Sequence, residues 1–445
     1  KHRISTAAMQ KYTEPTTAEE AALCRLWEEL LSVERVGIDD DWFALGGHSL
    51  LAMRLAQRTG HSVAAILANP TVRQLAQASV TASIAIPQTE SMQMTRAEQR
   101  MLYIHLQDPS STSYHMPFRY EMPEGFDLLG NLRRLIDTTP ILRTRFVDGK
   151  ALCDVEVPVV EGEIDVWAPF DLEEGPLCRF GVQGRVLTGC VHHVIGDERS
   201  IRILMRRLGD ADVPPAERTV RDYAAWEAEQ DDDIEGWLGL IGDTDVRFDR
   251  TGPAEVWRSN VVLGGGTVGR IEAWCRAKGV SPFVFALHVT HHVLRAYSHA
   301  AFALGVAYDT RPAECMETVG MFVNTVLVPF GAAAEPIEEV QRRWVQELLP
   351  RARTPYDAVV RAIGAEANTY LAFNVGFGGD GGAEESMREL EPAEENGDAG
   401  AKFDLSFGWA DAPDGGWGID IESGIGGWPR IEERIQQVVE ALLSD

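Results

Sequence analysis

Residues 186–200 read VLTGCVHHVIGDERS and change from a strand pattern to a helix pattern at a pair of histidines. The apolar run before the histidines predicts a buried strand, and the apolar spacing between residues 201 and 208 predicts a helix with one buried face. His192, His193 and Asp197 therefore fall on a strand-to-helix connection. Connections of this kind commonly display catalytic groups.

The two neighbouring histidines are not expected to share one role. Successive strand residues face opposite sides of a sheet, so only one of His192 and His193 is expected to face a given cleft. A zinc site would need a further ligand at a suitable spacing, for which Asp197 is the nearby candidate, and we predict no metal site. Structural or partly exposed histidines are also predicted in an apolar helical stretch that contains His288, His291 and His292.

Outside this segment, short β-rich runs alternate with helical patterns, which predicts an α/β domain. The helical patterns cover residues 130–138, 201–208 and 283–297. A tract at 376–400 is rich in glycine and glutamate, and we predict a solvated loop there.

The first 77 residues have a different, helical organisation. A capping box of Thr16 and Glu19 and one apolar face predict a first helix, and two shorter helical stretches are predicted at 63–67 and 72–75. Between them, WFALGGHSL at 42–50 predicts a turn at its glycine pair, followed by a helix with Ser49 at or near the first position. Local physics alone also allows Ser49 to be no more than a helix N-cap.

Composition bounds the class of protein. A length of 445 residues fits two or three domains, and a net charge of -27 argues against binding to nucleic acid or to an anionic membrane surface. The six cysteines show no CxxC pairing, which favours reduced structural thiols. Without a signal-peptide or membrane-span pattern we predict a cytoplasmic protein, and the missing initial methionine suggests a piece of a longer polypeptide.

DDWFALGGHSLLA at 40–52 closely resembles the phosphopantetheine attachment motif of peptidyl carrier domains. The resemblance implies a four-helix carrier bundle at 1–77 with 4'-phosphopantetheine on Ser49. A phosphopantetheinyl transferase would attach this arm, and an upstream adenylation domain would load it. His48 stands where carriers that feed an epimerisation domain tend to have aspartate, which implies an L-configured or achiral donor. A small, polar, proline-containing linker is expected at 78–91.

The pattern His192-His193-x-x-x-Asp197 resembles the signature of nonribosomal peptide synthetase condensation domains. Further segments that resemble this family lie in order at 96–101, 114–118, 141–146, 170–177, 221–226, 319–325 and 402–405. The resemblance implies a condensation domain at 92–445, made of two chloramphenicol-acetyltransferase-like lobes at about 92–250 and 251–445. The implied reaction transfers a donor thioester to the α-amine on a downstream carrier domain, as in antibiotic or siderophore biosynthesis.

The same resemblance implies roles for individual residues. His193 is expected at the reaction centre as a base, a positioning group or an oxyanion stabiliser, with His192 beside it. Asp197 is expected to pair with Arg143 and to fix the loop. Weaker candidates for the tunnel between the lobes are Asn324 and Ser200.

The chain departs from the family pattern before Leu142, where Arg-His-Glu is usual, at 351–356, where a histidine is often present, and at two positions beside the histidines. Glu198 stands where glycine is usual, and Arg199 stands where a large aromatic residue is frequent. The added charge could narrow the acceptor entrance, raise the pKa of His193 or bind a cationic acceptor. A condensation-like domain that docks other enzymes without catalysis therefore stays open as an alternative, and an epimerisation domain is a third and weaker one.

Overall fold

The computed structural model describes most of the chain, with gaps. The described residues are 12–47, 49–61, 63–78, 86–242, 244–248, 251–252, 255–298, 300–375, 387–390, 401–412 and 415–444. The acidic tract predicted as a solvated loop at 376–400 lies outside them, apart from 387–390.

The first region, up to residue 78, is helical and packs around two tryptophans. The rings of Trp27 and Trp42 meet edge to face with centroids 4.8 Å apart, and both side chains are fully buried. An edge-to-face pair of this kind adds to the stabilisation from burial alone. The helices are α1 (Ala18–Leu31), α2 (Ser49–Thr59), α3 (Val63–Ala68) and α4 (Val72–Gln77).

The capping box at the start of α1 is one residue later than predicted. Thr17 is the N-cap, its side chain accepts from Glu20 N–H, and the Glu20 carboxylate accepts from Thr17 N–H at 3.1 Å. Thr16 is bound to the same carboxylate, since its hydroxyl donates to Glu20 at 2.7 Å. Threonine at both positions made the sequence pattern ambiguous, and the helix begins after the second one.

The N-lobe is built on a mixed sheet with helices on its faces. The strands of this sheet in the N-lobe are β1 (His115–Glu121), β4 (Val159–Glu161), β5 (Cys178–Gln183) and β6 (Val186–His192), while β2 (Thr144–Val147) and β3 (Lys150–Cys153) form a separate antiparallel pair. Its helices are α5 (Arg96–Gln107), α6 (Leu128–Thr138), α7 (Glu198–Gly209) and α8 (Val220–Glu227). β6 lies between β1 and β5 and is antiparallel to both, so it is buried at the centre of the lobe.

The C-lobe has a second mixed sheet in the order β7-β13-β12-β10-β8-β9. Its strands are β7 (Trp257–Leu263), β8 (Phe302–Asp309), β9 (Val323–Phe330), β10 (Thr369–Asn374), β12 (Leu405–Ala412) and β13 (Gly416–Ser423), while β11 (Arg388–Glu389) pairs with β1 of the N-lobe. The helices are α9 (Ile234–Ile241), which precedes the sheet in sequence, α10 (Gly265–Lys278), α11 (Pro282–Leu294), α12 (Ile337–Arg343), α13 (Tyr356–Ile363) and α14 (Ile431–Leu442).

One loop of the C-lobe passes into the core of the N-lobe. Residues 310–322, which we call the crossing segment, connect β8 to β9. Cys315, Val319 and Phe322 of this segment pack in the N-lobe core with residues of β6 and α7. The histidine connection therefore lies where the two lobes meet.

Part of the predicted linker is held against the N-lobe. Thr89 N–H donates to Asp222 of α8 at 2.6 Å, and Arg218 donates to the carbonyl of Ile86 at 2.6 Å. Residues 79–85 lie outside the described part of the chain. Among the described residues, no helix combines the length and the apolar character needed to cross a membrane.

The helix α11 contains a buried histidine without polar contacts. His291 stacks on Phe330 with ring centroids 4.0 Å apart, and neither of its buried ring nitrogens has a hydrogen-bond partner among the described residues. Burial, with the charges of neighbouring histidines and arginines, lowers the pKa of His291 to about 3. The ring is therefore neutral at pH 7 and acts as a structural residue, as predicted.

We expect His291→Phe to make the protein less sensitive to acid. Unfolded His291 binds a proton near its ordinary pKa of 6.5, and the folded protein does so only near 3, so folding loses stability as pH falls from 6.5 towards 3. Removing the group should reduce this loss by about 1.4 kcal/mol per pH unit. Urea unfolding at several pH values measures the slope. Val293→Ala on the same helix should lower stability without changing the slope, and an unchanged slope in His291→Phe would contradict the prediction.

Candidate active site

The end of β6 and the start of α7 place the predicted site residues. β6 fits between its neighbours because Gly189 lacks a side chain, and a Cβ at that position would collide with the ring of Phe118 on β1. After the short turn His193–Ile195, Asp197 caps α7 by accepting from Ser200 N–H. The strand-to-helix connection predicted from the sequence is present.

The ring of His193 has a defined orientation and protonation pattern. Its Nδ1 lies 2.8 Å from the carbonyl oxygen of Gly196. A carbonyl oxygen can only accept, so Nδ1 carries the hydrogen and the neutral ring has its lone pair on Nε2. The half-buried ring therefore keeps one nitrogen that can accept a proton or a hydrogen bond from a substrate.

His193 is held in its neutral form. Burial lowers its pKa below the ordinary value of 6.5, and the positive charge of Lys402 lowers it further. Lys402 Nζ lies 4.8 Å from the centre of the Tyr114 ring, which is itself 6.5 Å from the His193 ring. Of the three effects considered for Glu198, a net rise in the pKa of His193 is not found, since the shift is downwards and its main causes are burial and Lys402.

His192 points into the N-lobe core. Its Nδ1 accepts from Val194 N–H at 3.1 Å, and its ring packs between His105, His115 and Phe170. Burial lowers the pKa of His192 to about 2. The two histidines have different surroundings, as the strand alternation predicts, and His192 supports the connection.

Asp197 is the centre of a buried hydrogen-bond network. Its Oδ1 accepts from Ser200 N–H and from Arg311 Nη2, at 2.9 and 2.7 Å, and its Oδ2 accepts from Phe322 N–H at 3.1 Å. Burial alone would raise the pKa of Asp197, but the Arg311 charge and these hydrogen bonds outweigh burial and hold the pKa below its ordinary value. The carboxylate is charged and joins α7 to the crossing segment.

The predicted pairing of Asp197 with Arg143 is wrong. Arg143 is half-buried in the N-lobe and donates to the carbonyl of Asp137 at 3.4 Å. The partner of Asp197 is Arg311, whose side chain is fully buried. The structural role predicted for Asp197 agrees with this geometry, because its carboxylate contacts Arg311 and backbone N–H groups.

The side chains of Ser200 and Asn324 also form hydrogen bonds that hold the structure together. Ser200 is fully buried, and its hydroxyl lies 2.9 Å from both Asp197 Oδ1 and the carbonyl of Gly320. Asn324 donates to the carbonyls of Ala352 and Thr354 at 2.8 and 2.7 Å. The expectation that the Ser200 side chain lines the tunnel is wrong, since the site buries its hydroxyl in the Asp197 network.

The two unusual residues after Asp197 have separate surroundings. Glu198 is 57% exposed and accepts from Arg202 Nη2 at 3.3 Å, one helical turn along α7. An acidic residue in the first turn of a helix is favourable, because it complements the helix dipole. Arg199 is half-buried and donates from Nε to the carbonyl of Met316 in the crossing segment at 3.1 Å.

The predicted attachment residue opens a helix. α2 begins at Ser49, and Gly46 before it has a φ of 93°, so the turn requires glycine there. A Cβ at Gly47 would collide with the ring of Trp42. A helix start after such a turn suits attachment of a long flexible arm. His48 and the Ser49 side chain lie outside what the structure describes.

Comparison with known proteins identifies the first region. Residues 21–79 match the family model described as phosphopantetheine attachment site. Bacitracin synthase 3 of Bacillus licheniformis is 26% identical over 72% of this chain, and surfactin synthase subunit 2 of Bacillus subtilis is 26% identical over 70%. The chain spans 6% and 10% of the lengths of these relatives.

Solved structures identify the fold of the second region. The first condensation domain of the CDA synthetase matches 80% of this chain and 97% of its own, with a TM-score of 0.62 and 18% identity. The X-domain from teicoplanin biosynthesis matches 81% of this chain and 96% of its own, with a TM-score of 0.63 and 18% identity. Residues 21–79 thus match the carrier-domain family, the second region has the fold of condensation domains, and the chain is similar to subunits of nonribosomal peptide synthetases.

Proposed function

We propose that this chain forms amide bonds in nonribosomal peptide synthesis. In this proposal Ser49 carries the acyl donor, and the acceptor is the α-amine of an aminoacyl group on a downstream carrier domain. The observation that carries the proposal is His193, a neutral imidazole where the lobes of a condensation fold meet, whose Nε2 has no hydrogen-bond partner among the described residues. The carrier match and the likeness to synthetase subunits support the same reaction.

The pantetheine arm, when attached to Ser49, supplies the thioester whose acyl group is transferred. The chain's own residues would orient the amine and handle its proton. An α-amine has a pKa of about 7.7 to 8.0, so a useful neutral fraction exists near pH 7 and a strong base is not needed. His193 Nε2 would accept the proton that is released as the C–N bond forms and could return it to the departing sulfur.

The position of the carrier also supports transfer between the lobes. α2 lies beside the turn Ala313–Cys315, which belongs to the crossing segment. The same segment contacts Asp197 and Arg199 near the histidine connection. An acyl group carried at the start of α2 would therefore begin its path on the side of the protein where the lobes meet.

The test of this function is a mass measurement on the whole chain. A synthetic peptidyl-pantetheine is loaded on Ser49 with a phosphopantetheinyl transferase, and an aminoacyl acceptor on a separate carrier is added. We expect the peptide mass to leave the chain and to appear on the acceptor as an amide. A peptide that stays on Ser49 with every acceptor tried would count against amide formation. We place this reaction in the cytoplasm, with adenylation supplied by an upstream domain.

A second candidate function is docking of another protein without catalysis. Likeness to the teicoplanin X-domain favours it, since one solved match is a complex of that X-domain with OxyB, with a TM-score of 0.61. The acidic Glu198 beside the active-site connection also distinguishes this chain from the usual condensation pattern. Its exposure and its ion pair with Arg202 argue against an obstructed site.

Replacing Glu198 with glycine separates the two functions. If the site is an active one, we expect the condensation rate to stay within about threefold, since Glu198 is exposed and paired with Arg202, and stability to fall by about 0.5–1 kcal/mol from the glycine in a helix. Single-turnover transfer on the loaded chain measures the rate. Glu198→Gln is the control that keeps side-chain size and removes charge. A transfer rate that rises tenfold or more in Glu198→Gly, but not in Glu198→Gln, would indicate a blocked site and favour docking.

A further inference from the structure

The end of the predicted linker belongs to the N-lobe, which leaves a short stretch of chain between this lobe and the carrier domain. Ile86 is 2% exposed and packs with the core residues of the N-lobe. Its carbonyl accepts from Arg218 Nε at 2.6 Å, and the side chain of Gln88 donates to the carbonyl of Glu217 at 3.3 Å. The chain is therefore fixed to the N-lobe from Ile86 onwards.

Thr89 adds a contact with a buried carboxylate. Its N–H donates to Asp222 Oδ1 at 2.6 Å, while Oδ2 of the same carboxylate accepts from Thr219 N–H at 2.7 Å and so caps α8. Asp222 is buried, so release of Thr89 would deprive a buried acceptor of one of its partners. The next contact along the chain is the carbonyl of Met92, which accepts from Ala151 N–H of β3 at 2.9 Å.

The body of the carrier domain lies against the other lobe. α3 lies beside Trp344–Leu348, which follows α12, and α2 lies beside Ala313–Cys315 of the crossing segment. A Cβ at Gly46 would lie 3.9 Å from Arg276 Cδ of α10. The carrier domain is therefore joined to the N-lobe through its linker and is in contact with the C-lobe through its own surface.

We propose that residues 86–89, which we call the anchor, set how far the carrier domain can move away from the C-lobe. Eight peptide links join Ala78, the last described carrier residue, to Ile86. Whatever path they take, eight links extend to no more than about 26–29 Å. If the anchor is released, the chain is next held at Met92, and the fourteen links from Ala78 extend to about 46–50 Å.

The anchor thereby keeps the carrier domain close to its own condensation-type domain. The effective concentration of a tethered group falls roughly as the -3/2 power of tether length, so release of the anchor would lower it about twofold. A domain that loads the carrier must also reach it within the span that the anchor allows. The inference concerns the position of the carrier and does not depend on amide formation.

The test is a distance measurement that uses a native cysteine. Cys153 at the end of β3 is exposed and the other five cysteines of the chain are buried, so a maleimide dye reacts at Cys153. A phosphopantetheinyl transferase attaches a second dye, carried on pantetheine, to Ser49. Single-molecule energy transfer then reports the distance between the dyes. We expect Ile86→Ser combined with Thr89→Pro, which removes the buried side chain and the N–H donor, to add distances up to about 20 Å longer.

Two further variants make the result decisive. Met92→Ser changes a side chain that is 54% exposed and leaves the anchor intact, so it should keep the distances of the unchanged protein. A glycine-serine insertion of six residues after residue 81 adds the same length of chain while the anchor stays fixed, and it should give the same longer distances.

Each outcome of the distance measurement decides the proposal. If the insertion lengthens the distances and Ile86→Ser with Thr89→Pro does not, the anchor does not limit the reach and the proposal is overturned. An insertion without effect would also overturn it, because the contacts with the C-lobe would then hold the carrier by themselves. Amide formation is not needed for the measurement, so longer distances in both variants would support the anchor even if the proposed function failed.

Discussion

Replacing Arg311 with methionine should lower the free energy of unfolding of the condensation-type domain by about 3–5 kcal/mol. The change leaves the Asp197 carboxylate buried and keeps its hydrogen bonds from Ser200 and Phe322, but removes the positive charge that compensates it. A buried charge without its partner costs several kcal/mol because it has lost its hydration. Urea unfolding followed by tryptophan fluorescence measures the loss.

The pH dependence and two controls make this prediction specific. Without Arg311, burial should raise the pKa of Asp197 above that of the unfolded chain, so the deficit relative to the unchanged protein should shrink as pH falls towards 4. Adding Asp197→Asn should recover part of the stability. Arg145→Met, which breaks a solvent-exposed pair with Asp154, should cost only about 0–1 kcal/mol. A loss below 1 kcal/mol in Arg311→Met would contradict the buried network.

The Asp197 network also shows where sequence reasoning fails. The spacing of apolar residues changes from a strand pattern to a helix pattern near residues 186–200. This change predicts the strand, the turn and the helix, because each of them is set by local sequence. Arg311 lies 114 positions from Asp197 and comes from the other lobe. No local pattern signals a contact across two lobes, and the resemblance pointed to an arginine of the N-lobe instead.

The surroundings of His193 could likewise be predicted from the sequence only in part. Alternation along a strand predicts that His192 and His193 face different sides. Their surroundings do differ, but β6 ends at His192 and His193 lies in the following turn, so the turn sets its direction. The hydrogen bond from His193 Nδ1 to Gly196 follows from the turn geometry, which the sequence does not specify. Lys402 could be located near the site only through the fold, since it lies just before β12 of the C-lobe and approaches Tyr114 of the N-lobe.

The position of Ser200 was misjudged for a physical reason. The sequence places it one turn into a helix next to the reaction centre, where a hydroxyl could face a tunnel. The side chain is instead needed to satisfy buried groups. Its hydroxyl has one hydrogen to donate, lies 2.9 Å from both Asp197 Oδ1 and the carbonyl oxygen of Gly320, and accepts from Arg311. Buried polar groups require partners, and that requirement is visible only when the crossing segment is in place.

Replacing His193 with alanine should lower the rate of amide formation by about 10²- to 10⁴-fold, the usual contribution of a positioned acid-base group. The half-buried ring makes one side-chain hydrogen bond, to Gly196, so stability should change by only about 1 kcal/mol. Loading of Ser49 should be unaffected, because the attachment site is on the carrier domain. Single-turnover transfer from the loaded chain measures the rate, and a loss of less than fivefold would contradict a role at the reaction centre.

The pH profile distinguishes proton transfer from a purely structural role of His193. The unchanged protein needs neutral His193, and burial and the Lys402 charge keep the pKa of His193 below 6.5, so protonation of the ring should limit the rate only below that value. Removing the charge with Lys402→Met should raise the pKa of His193 and move this acid limb to higher pH. Rates are divided by the neutral fraction of the acceptor amine, which titrates near pH 7.7 to 8.0. An acid limb that does not move would mean that the Nε2 lone pair of His193 is not what the reaction requires, and the ring would then act through its shape alone.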